Sequence, residues 1–512
     1  MNPVDLSGKP FHFIGIGGIG MSALAYVLAK RELPVSGSDI CLNDITRRLQ
    51  QSGAHIFWSQ EASNLDFYRT GKPLPDSESR TKPPSLSRAA TAAANPRIAV
   101  STADLTFLPQ VICSTAINPN NPEYRAALDL GCPIFHRSDL LAALIQEYQG
   151  IAVAGTHGKT TTSSMIGYML YKAGLDPTIV VGGEVNAWEG NARVGQGEYL
   201  VAEADESDGS LVKLKAQIGV VTNIELDHPD HYTSLEQVID TFTAFAGNCK
   251  VLVGCIDSPA VQERLNVTIT YSLQADLKAD YTADQILHHA SGTTARIWER
   301  GEVLGQLHLG LLGRHNLSNA LAAIAVGRQL GVPFETIAGA LTTFEGARRR
   351  FERRGEYNQI LFVDDYAHHP SELQATLSAA RLKITAPSSP YERLVAVFQP
   401  HRYSRTLAFL DEFAQSFVDA DLAITTDIYS AGEPDLGKVS GRQLSEAIAQ
   451  HHPHAIYQPT LADVSSYLLE TLQPGDLVLF LGAGNLNRII PDLMAHYQEP
   501  DPGDRVACAA PA

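Results

Sequence analysis

Short apolar runs recur along the chain, bounded by glycine or polar clusters and separated by stretches with helical spacing. Runs at 11–14, 35–39 and 111–114 read as strands of a first unit, with a helix over 21–30. A second unit begins after a helical pattern at 140–147, with strands at 151–154, 200–203, 219–222 and 251–254. A third has strands at 360–364, 394–398, 423–426 and 477–481. Strands alternating with helices predict α/β units with parallel sheets and right-handed crossovers. Ligands of such sheets sit beyond the carboxyl ends of the strands, so chemistry is expected just after each run. Two segments break the pattern. Residues 70–97 are rich in Pro, Ser, Arg and Ala without periodicity and read as a loop insertion; the tail over 499–512 reads as flexible. The expected domains are 1–138, 139–346 and 347–498.

Length agrees with several domains, since 512 residues exceed what one core supports. The net charge of −17 argues against nucleic acid or an anionic membrane as a partner, because both bind through a basic field. An anionic small molecule must then be held by local devices such as glycine loops, helix N-termini and a few arginines. Cys41, Cys113, Cys132, Cys249, Cys255 and Cys508 form no C-x-x-C pair, which suits a reducing compartment. The apolar start lacks a basic leader, and no apolar run is long enough to span a bilayer. A cytoplasmic chain is expected.

Gly15, Gly17, Gly18 and Gly20 follow the first strand and open a helix, and Asp39 ends the next strand. Such a fingerprint lets the backbone approach a diphosphate and sets an acid near a ribose. It admits an NAD-dependent dehydrogenase, but UDP carries a diphosphate too. The string Gly155-Thr156-His157-Gly158-Lys159-Thr160-Thr161 follows a buried strand and opens another helix. Its amides would cradle ATP phosphates, Lys159 would reach the β- and γ-phosphates, and the Thr160 hydroxyl would ligate Mg²⁺. Val153 occupies the position where the standard phosphate loop has glycine.

The acidic run Glu203-Ala204-Asp205-Glu206-Ser207-Asp208 ends one strand of this unit, and Asp227-His228 lies shortly after another. A carboxylate run is commonly a solvated face, but at these strand ends it offers hard ligands for Mg²⁺, and Glu203 with His228 could hold a second ion. Asn316 and Asn319 open a helix with amides suited to an adenine edge. Arg348, Arg349 and Arg350 form a basic patch suited to phosphate. In the third unit Asp365, Tyr366, His368 and His369 follow one strand, and His401, Arg402 and Arg405 another. Together they suit a pocket for a small zwitterion, with guanidinium forks for its carboxylate.

In this order the strings GIGGIGMS, GTHGKTTT, EADESD, TNIELDH, RHN, DDYAHH and QPHRYSRT resemble the Mur ligase family from about residue 11 to 487. The resemblance implies a Rossmann-like N-terminal domain, a P-loop-type central ATPase and a Rossmann-like C-terminal domain. It implies UDP-N-acetylmuramate on the first, at Gly15, Gly17, Gly18, Gly20, Ser38, Asp39 and Ser114. ATP and Mg²⁺ fall to the second: phosphate and metal to Lys159, Thr160, Glu203 and His228, adenine to Asn316 and Asn319. Arg350 is then expected on the phosphates and Asp365 on the ribose. L-alanine or the transition state is expected at Tyr366, His368, His401, Arg402 and Arg405. The implied reaction is attack of a carboxylate on the γ-phosphate, then attack of an amine on the acyl phosphate, with Lys159, His228, Arg350 and His368 as the catalytic set. His228 or His368 would take the proton, and the chain would be a monomer or homodimer. The insertion and the Ala347-Arg348 pair, where a glycine-rich turn is common, depart from the family pattern. Three other readings stay open: a murein-peptide ligase of the same family, the dehydrogenase, which leaves the phosphate loop idle, and an ATPase switch, which leaves the arginine loop idle.

Overall fold

The computed structural model describes residues 3–41, 43–66, 68, 108–387 and 389–498. The 70–97 stretch and the 499–512 tail lie outside them. The chain divides into two compact units, the smaller comprising Met1–Tyr148, Thr178–Gly182 and Gly190–Gln196 and the larger the remainder.

In the smaller unit a parallel sheet has the order β3-β2-β1-β4-β5, from β1 (Phe11–Ile14), β2 (Val35–Ser38), β3 (His55–Phe57), β4 (Gln110–Cys113) and β5 (Ile134–His136). All four residues of β1 are buried, as a strand covered on both faces requires. His12 is among them, which is costly unless its ring is satisfied. It meets Glu123 Oε1 at 2.8 Å and Ser36 Oγ at 2.7 Å. The helix Ile19–Lys30 follows the glycine turn and buries Met21 to Ala25, Val27 and Leu28.

The strands that follow are β6 (Gln149–Ala154), β7 (Thr178–Val185), β8 (Gly190–Arg193), β9 (Tyr199–Glu203), β10 (Ile218–Val221), β11 (Val251–Cys255), β12 (Ile269–Ser272), β13 (Tyr281–His289), β14 (Gly292–Glu299) and β15 (Glu302–Leu309). Through the larger unit the first sheet runs β15-β14-β13-β12-β11-β10-β6-β9. Pairing from β9 to β13 is parallel. β13, β14 and β15 are antiparallel, a departure from the parallel pattern expected of this unit. Their burial alternates, as suits hairpins with one solvated face.

The last sheet has the order β16-β17-β21-β18-β19-β20, with β16 (Glu352–Tyr357), β17 (Ile360–Asp365), β18 (Arg393–Phe398), β19 (Leu422–Thr425), β20 (Ala455–Tyr457) and β21 (Asp476–Leu481). Only β16 runs antiparallel to its neighbour. Period-two alternation separates its two cores. Leu361, Val363, Ala396 and Leu479 pack on one face with Leu377 and Phe413. Ile360, Phe362, Val397 and Phe480 pack on the other with Val464 and Leu493. Among the described residues no helix is long and apolar enough to cross a membrane.

Candidate functional site

β6 runs into Gly155–Gly158, and the helix Lys159–Lys172 starts at once. Gly155 and Gly158 have φ of 143° and 81°, which glycine adopts without strain. A Cβ on Gly158 would lie 2.7 Å from Asn319 Oδ1, so the helix Arg314–Gln329 packs directly against the loop. The loop is tied to the end of β10: Asn223 Oδ1 accepts from His157 N at 2.9 Å, and Thr156 N donates to Asn223 O at 3.1 Å. The helix has no side-chain cap, leaving its first-turn amides available to an anion. Thr160 and Thr161 lie buried in that turn.

Lys159 Nζ donates to Gly155 O at 2.7 Å, Thr156 O at 3.1 Å and Glu206 Oε1 at 2.8 Å. Burial disfavours its charge, but Glu206, Asp205 and Glu203 outweigh that and hold its pKa above the ordinary lysine value. Glu206 is 1% exposed, and its second oxygen is buried without a hydrogen-bond partner. Burial pushes this carboxyl up to about 7, against the pull of Lys159. Glu203 ends β9 close by in sequence. His228, with φ 53°, brings Nε2 to 3.8 Å from Glu206 Oε1 and 3.7 Å from Asp227 Oδ2. Burial lowers its pKa, so its ring is neutral and able to ligate.

A cavity of about 240 Å³ opens beside the phosphate loop, lined by His157, Asn316, Asn319, Arg350, Asp365 and Glu372 among others. Asn316 Nδ2 donates to Leu312 O at 2.7 Å. Asp365 accepts backbone N–H groups from Phe351 at 2.7 Å and Ala367 at 2.8 Å, while burial raises its pKa to about 6. Arg350 lies 3.8 Å from Glu372 Oε1 and over the Tyr366 ring, which Arg349 also covers. His157 links this cavity to the last sheet: Nε2 meets Glu225 at 3.4 Å and Nδ1 meets Glu372 at 3.3 Å. Burial lowers its pKa, but the two carboxylates prevail and raise it to about 9.

Beyond β17 and β18, His368 Nδ1 lies 2.9 Å from Tyr366 O and 3.2 Å from Glu372 Oε2. Burial drives His368 down to about 3 and His401 to about 4, so both rings are neutral near pH 7. The two rings are 5.8 Å apart, and His401 stacks on Tyr429. Arg402 pairs with Asp230 at 2.6 Å. Arg405, expected to face a substrate, is 3% exposed and donates from Nε to Asp227 Oδ1 at 2.9 Å. Burial works against the Asp227 charge, but the Arg405 guanidinium holds that carboxyl well below the usual range.

In the smaller unit Asp39 Oδ2 accepts the Gly17 N–H at 2.8 Å and Oδ1 accepts the Cys41 N–H at 2.9 Å. A Cβ on Gly17 would meet Asp39 Oδ2 at 2.8 Å, so any larger residue there must displace the Asp39 carboxylate. Ser38 is fully buried and donates to Glu123, and Ser114 is half-buried. Gly15 has φ 81°; Gly18 caps the following helix without a side-chain bond, and Gly20 lies within it.

The sequence does not single out Glu206 within its acidic run, nor His315, Glu225, Asp230 and Glu372 as site residues, and it offers Asp227 as a metal ligand where the structure pairs it with Arg405. Burial holds His315 at about 4 beside Arg350. Ligand atoms of His157, Glu225 and His369 all lie within 4.8 Å of one another. One signal was available: Glu372 falls in the first turn of a helix, four residues beyond His368.

An uncapped phosphate loop, oxygen donors beyond the two strands that flank β6 and a His/Arg loop on a second sheet define a nucleotide-dependent α/β enzyme acting on a small anionic substrate. The chain belongs to the Mur ligase family. Residues 10–149 match the Mur ligase family catalytic domain, 153–327 the Mur ligase middle domain and 349–484 the Mur ligase glutamate ligase domain. It is 64% identical over 499 residues to the UDP-N-acetylmuramate–L-alanine ligase of Nostoc punctiforme, covering 98% of both chains. To the enzyme of that name from Trichormus variabilis it is 62% identical, over 98% of this chain and 99% of that one. The crystal structure of the UDP-N-acetylmuramate–alanine ligase of Thermotoga maritima superposes with a TM-score of 0.75 at 26% identity, covering 96% of this chain and 99% of the other.

Proposed function

We propose that the chain is an ATP-dependent ligase that joins L-alanine to the lactyl carboxylate of UDP-N-acetylmuramate through an acyl phosphate, a step of peptidoglycan synthesis. The observation that carries the reading is the meeting of the phosphate loop with the chemistry of the last sheet. Glu372 reaches His157 of the loop, and Arg405 reaches Asp227 beyond β10. A phosphoryl donor and an amine acceptor need that adjacency.

The residues present fit a nucleotide with a hard divalent ion. Two glycines leave a cradle that a Cβ would fill, and the buried Glu206 oxygen without a partner is a donor of the right kind. Thr160, Glu203 and His228 would hold Mg²⁺, with Glu206 added to the set. Asn316, Asn319 and Asp365 would hold adenosine. Bound ATP with Mg²⁺ supplies the phosphoryl group and helps neutralise its charge.

Lys159 and Arg350 stabilise the charge that develops as the carboxylate attacks phosphorus. His228 and His368, whose rings burial keeps neutral, can accept a hydrogen bond from the alanine amine and so orient it for attack once it has lost its proton. Arg402 holds the alanine carboxylate. In the smaller unit the glycine turn takes the UDP diphosphate. Both Asp39 oxygens receive amides of that unit, so Asp39 shapes the glycine loop, which argues against the ribose role a nicotinamide dinucleotide would require. Phosphate release from ATP tests the assignment: it should require UDP-N-acetylmuramate and L-alanine together. Release with either one absent refutes it.

A further inference from the structure

Arg402 and Arg405 stand at the start of one short helix, Tyr403–Ala408, and reach one loop, yet their ion pairs differ in kind. Arg405 and Asp227 have side chains 3% and 6% exposed. Arg402 and Asp230 are 33% and 41% exposed, with Nη1 to Oδ2 at 2.6 Å. The second pair is open to solvent and therefore exchangeable.

Arg402 has another carboxylate within reach, but that one is committed elsewhere. Glu433 Oε1 lies 3.4 Å from Nη1, while Glu433 also accepts from Ser404 N at 3.0 Å and Ser404 Oγ at 2.6 Å. For Asp230 the interactions seen among the described residues are with Arg402. The Arg402 backbone is fixed in the left-handed region at φ 70°, and its N–H donates to Tyr429 O at 2.8 Å. Strain of this sort is held where a side chain must point one way. The guanidinium is thus aimed at an exposed position occupied by a carboxylate that has little else to do.

We infer that Asp230 is a placeholder: its carboxylate occupies the Arg402 fork until the carboxylate of the incoming amino acid displaces it, and so it sets the apparent affinity for that substrate. The inference rests on the reading of Arg402 as the anchor for the alanine carboxylate. The exchange swaps one carboxylate for another on the same fork, moves no proton and leaves the Glu433 contacts in place. A tethered competitor raises the KM of the free one, so removing its charge lowers that KM.

Steady-state kinetics on the full chain test this. Asp230→Asn should lower the KM for L-alanine by about two- to fivefold, the range an exposed pair supports, and leave the KM for ATP unchanged. Asp230→Glu keeps the carboxylate and should retain a KM near the wild-type value. An alanine KM that is unchanged or raised in Asp230→Asn overturns the placeholder. Arg402→Lys, measured alongside, separates the two readings. If it raises the alanine KM while Asp230→Asn changes nothing, only the placeholder fails; if the alanine KM ignores Arg402→Lys, the anchor fails with it.

Discussion

Replacing Lys159 with alanine should damage catalysis far more than folding, and the structure supplies both magnitudes. The ammonium makes three contacts, to Gly155 O, Thr156 O and Glu206 Oε1. Its loss leaves Glu206 buried without a cation. A buried charge left uncompensated costs about 3–5 kcal/mol. Burial has already raised Glu206 to about 7, so the carboxyl can take a proton instead. The folding cost then falls to on the order of 1–3 kcal/mol, that of an imperfectly satisfied buried polar group. Turnover loses a cation aimed at developing phosphate charge, which costs about 4 kcal/mol or more, on the order of 10³-fold. Phosphate release with saturating substrates reads the second effect, and thermal unfolding reads the first. Lys159→Ala combined with Glu206→Gln should recover stability without recovering turnover. A folded Lys159→Ala enzyme working within about tenfold of wild type would refute the reasoning.

Two further outcomes follow from the buried groups. Arg405→Met should cost about 3–5 kcal/mol of stability by stranding Asp227, seen as a lower urea midpoint, and adding Asp227→Asn should restore part of it; a loss below about 1 kcal/mol would contradict a buried pair. The pKa of His157 is raised from 6.5 to about 9, so its imidazolium stabilises the fold fully below pH 6.5 and that stability is lost as pH rises through about 9. Across that window wild type should lose stability that His157→Gln does not, and parallel curves would show that His157 carries no such charge.

The parts legible from sequence were those whose meaning is local. Both faces of the last sheet are covered, so β17, β18 and β21 are continuous apolar runs, too short for a buried helix and rich in Val, Ile and Phe. The phosphate loop is a contiguous string on a strand–helix junction. What escaped was set by distance along the chain. Asp227 and Asp230 acquire their roles from arginines 178 and 172 residues away. Glu206 was quoted as one carboxylate in a run, and only burial against Lys159 distinguishes it from its neighbours. β13 to β15 were missed because Thr293 takes a buried position while Leu287 and Val303 are exposed, so their apolar residues do not follow the burial alternation on which strand reading depends.

In the proposed reaction a carboxylate of the substrate is activated by phosphorylation before the amine attacks. In that sequence a carboxylate oxygen bonds to phosphorus, ADP departs, the amine attacks the carbonyl carbon, and the released phosphate keeps that oxygen. UDP-N-acetylmuramate labelled with ¹⁸O in its lactyl carboxylate, turned over with ATP and L-alanine, tests this by mass spectrometry of the phosphate. One ¹⁸O atom should pass to inorganic phosphate per amide bond formed. Amide formation with unlabelled phosphate would contradict it.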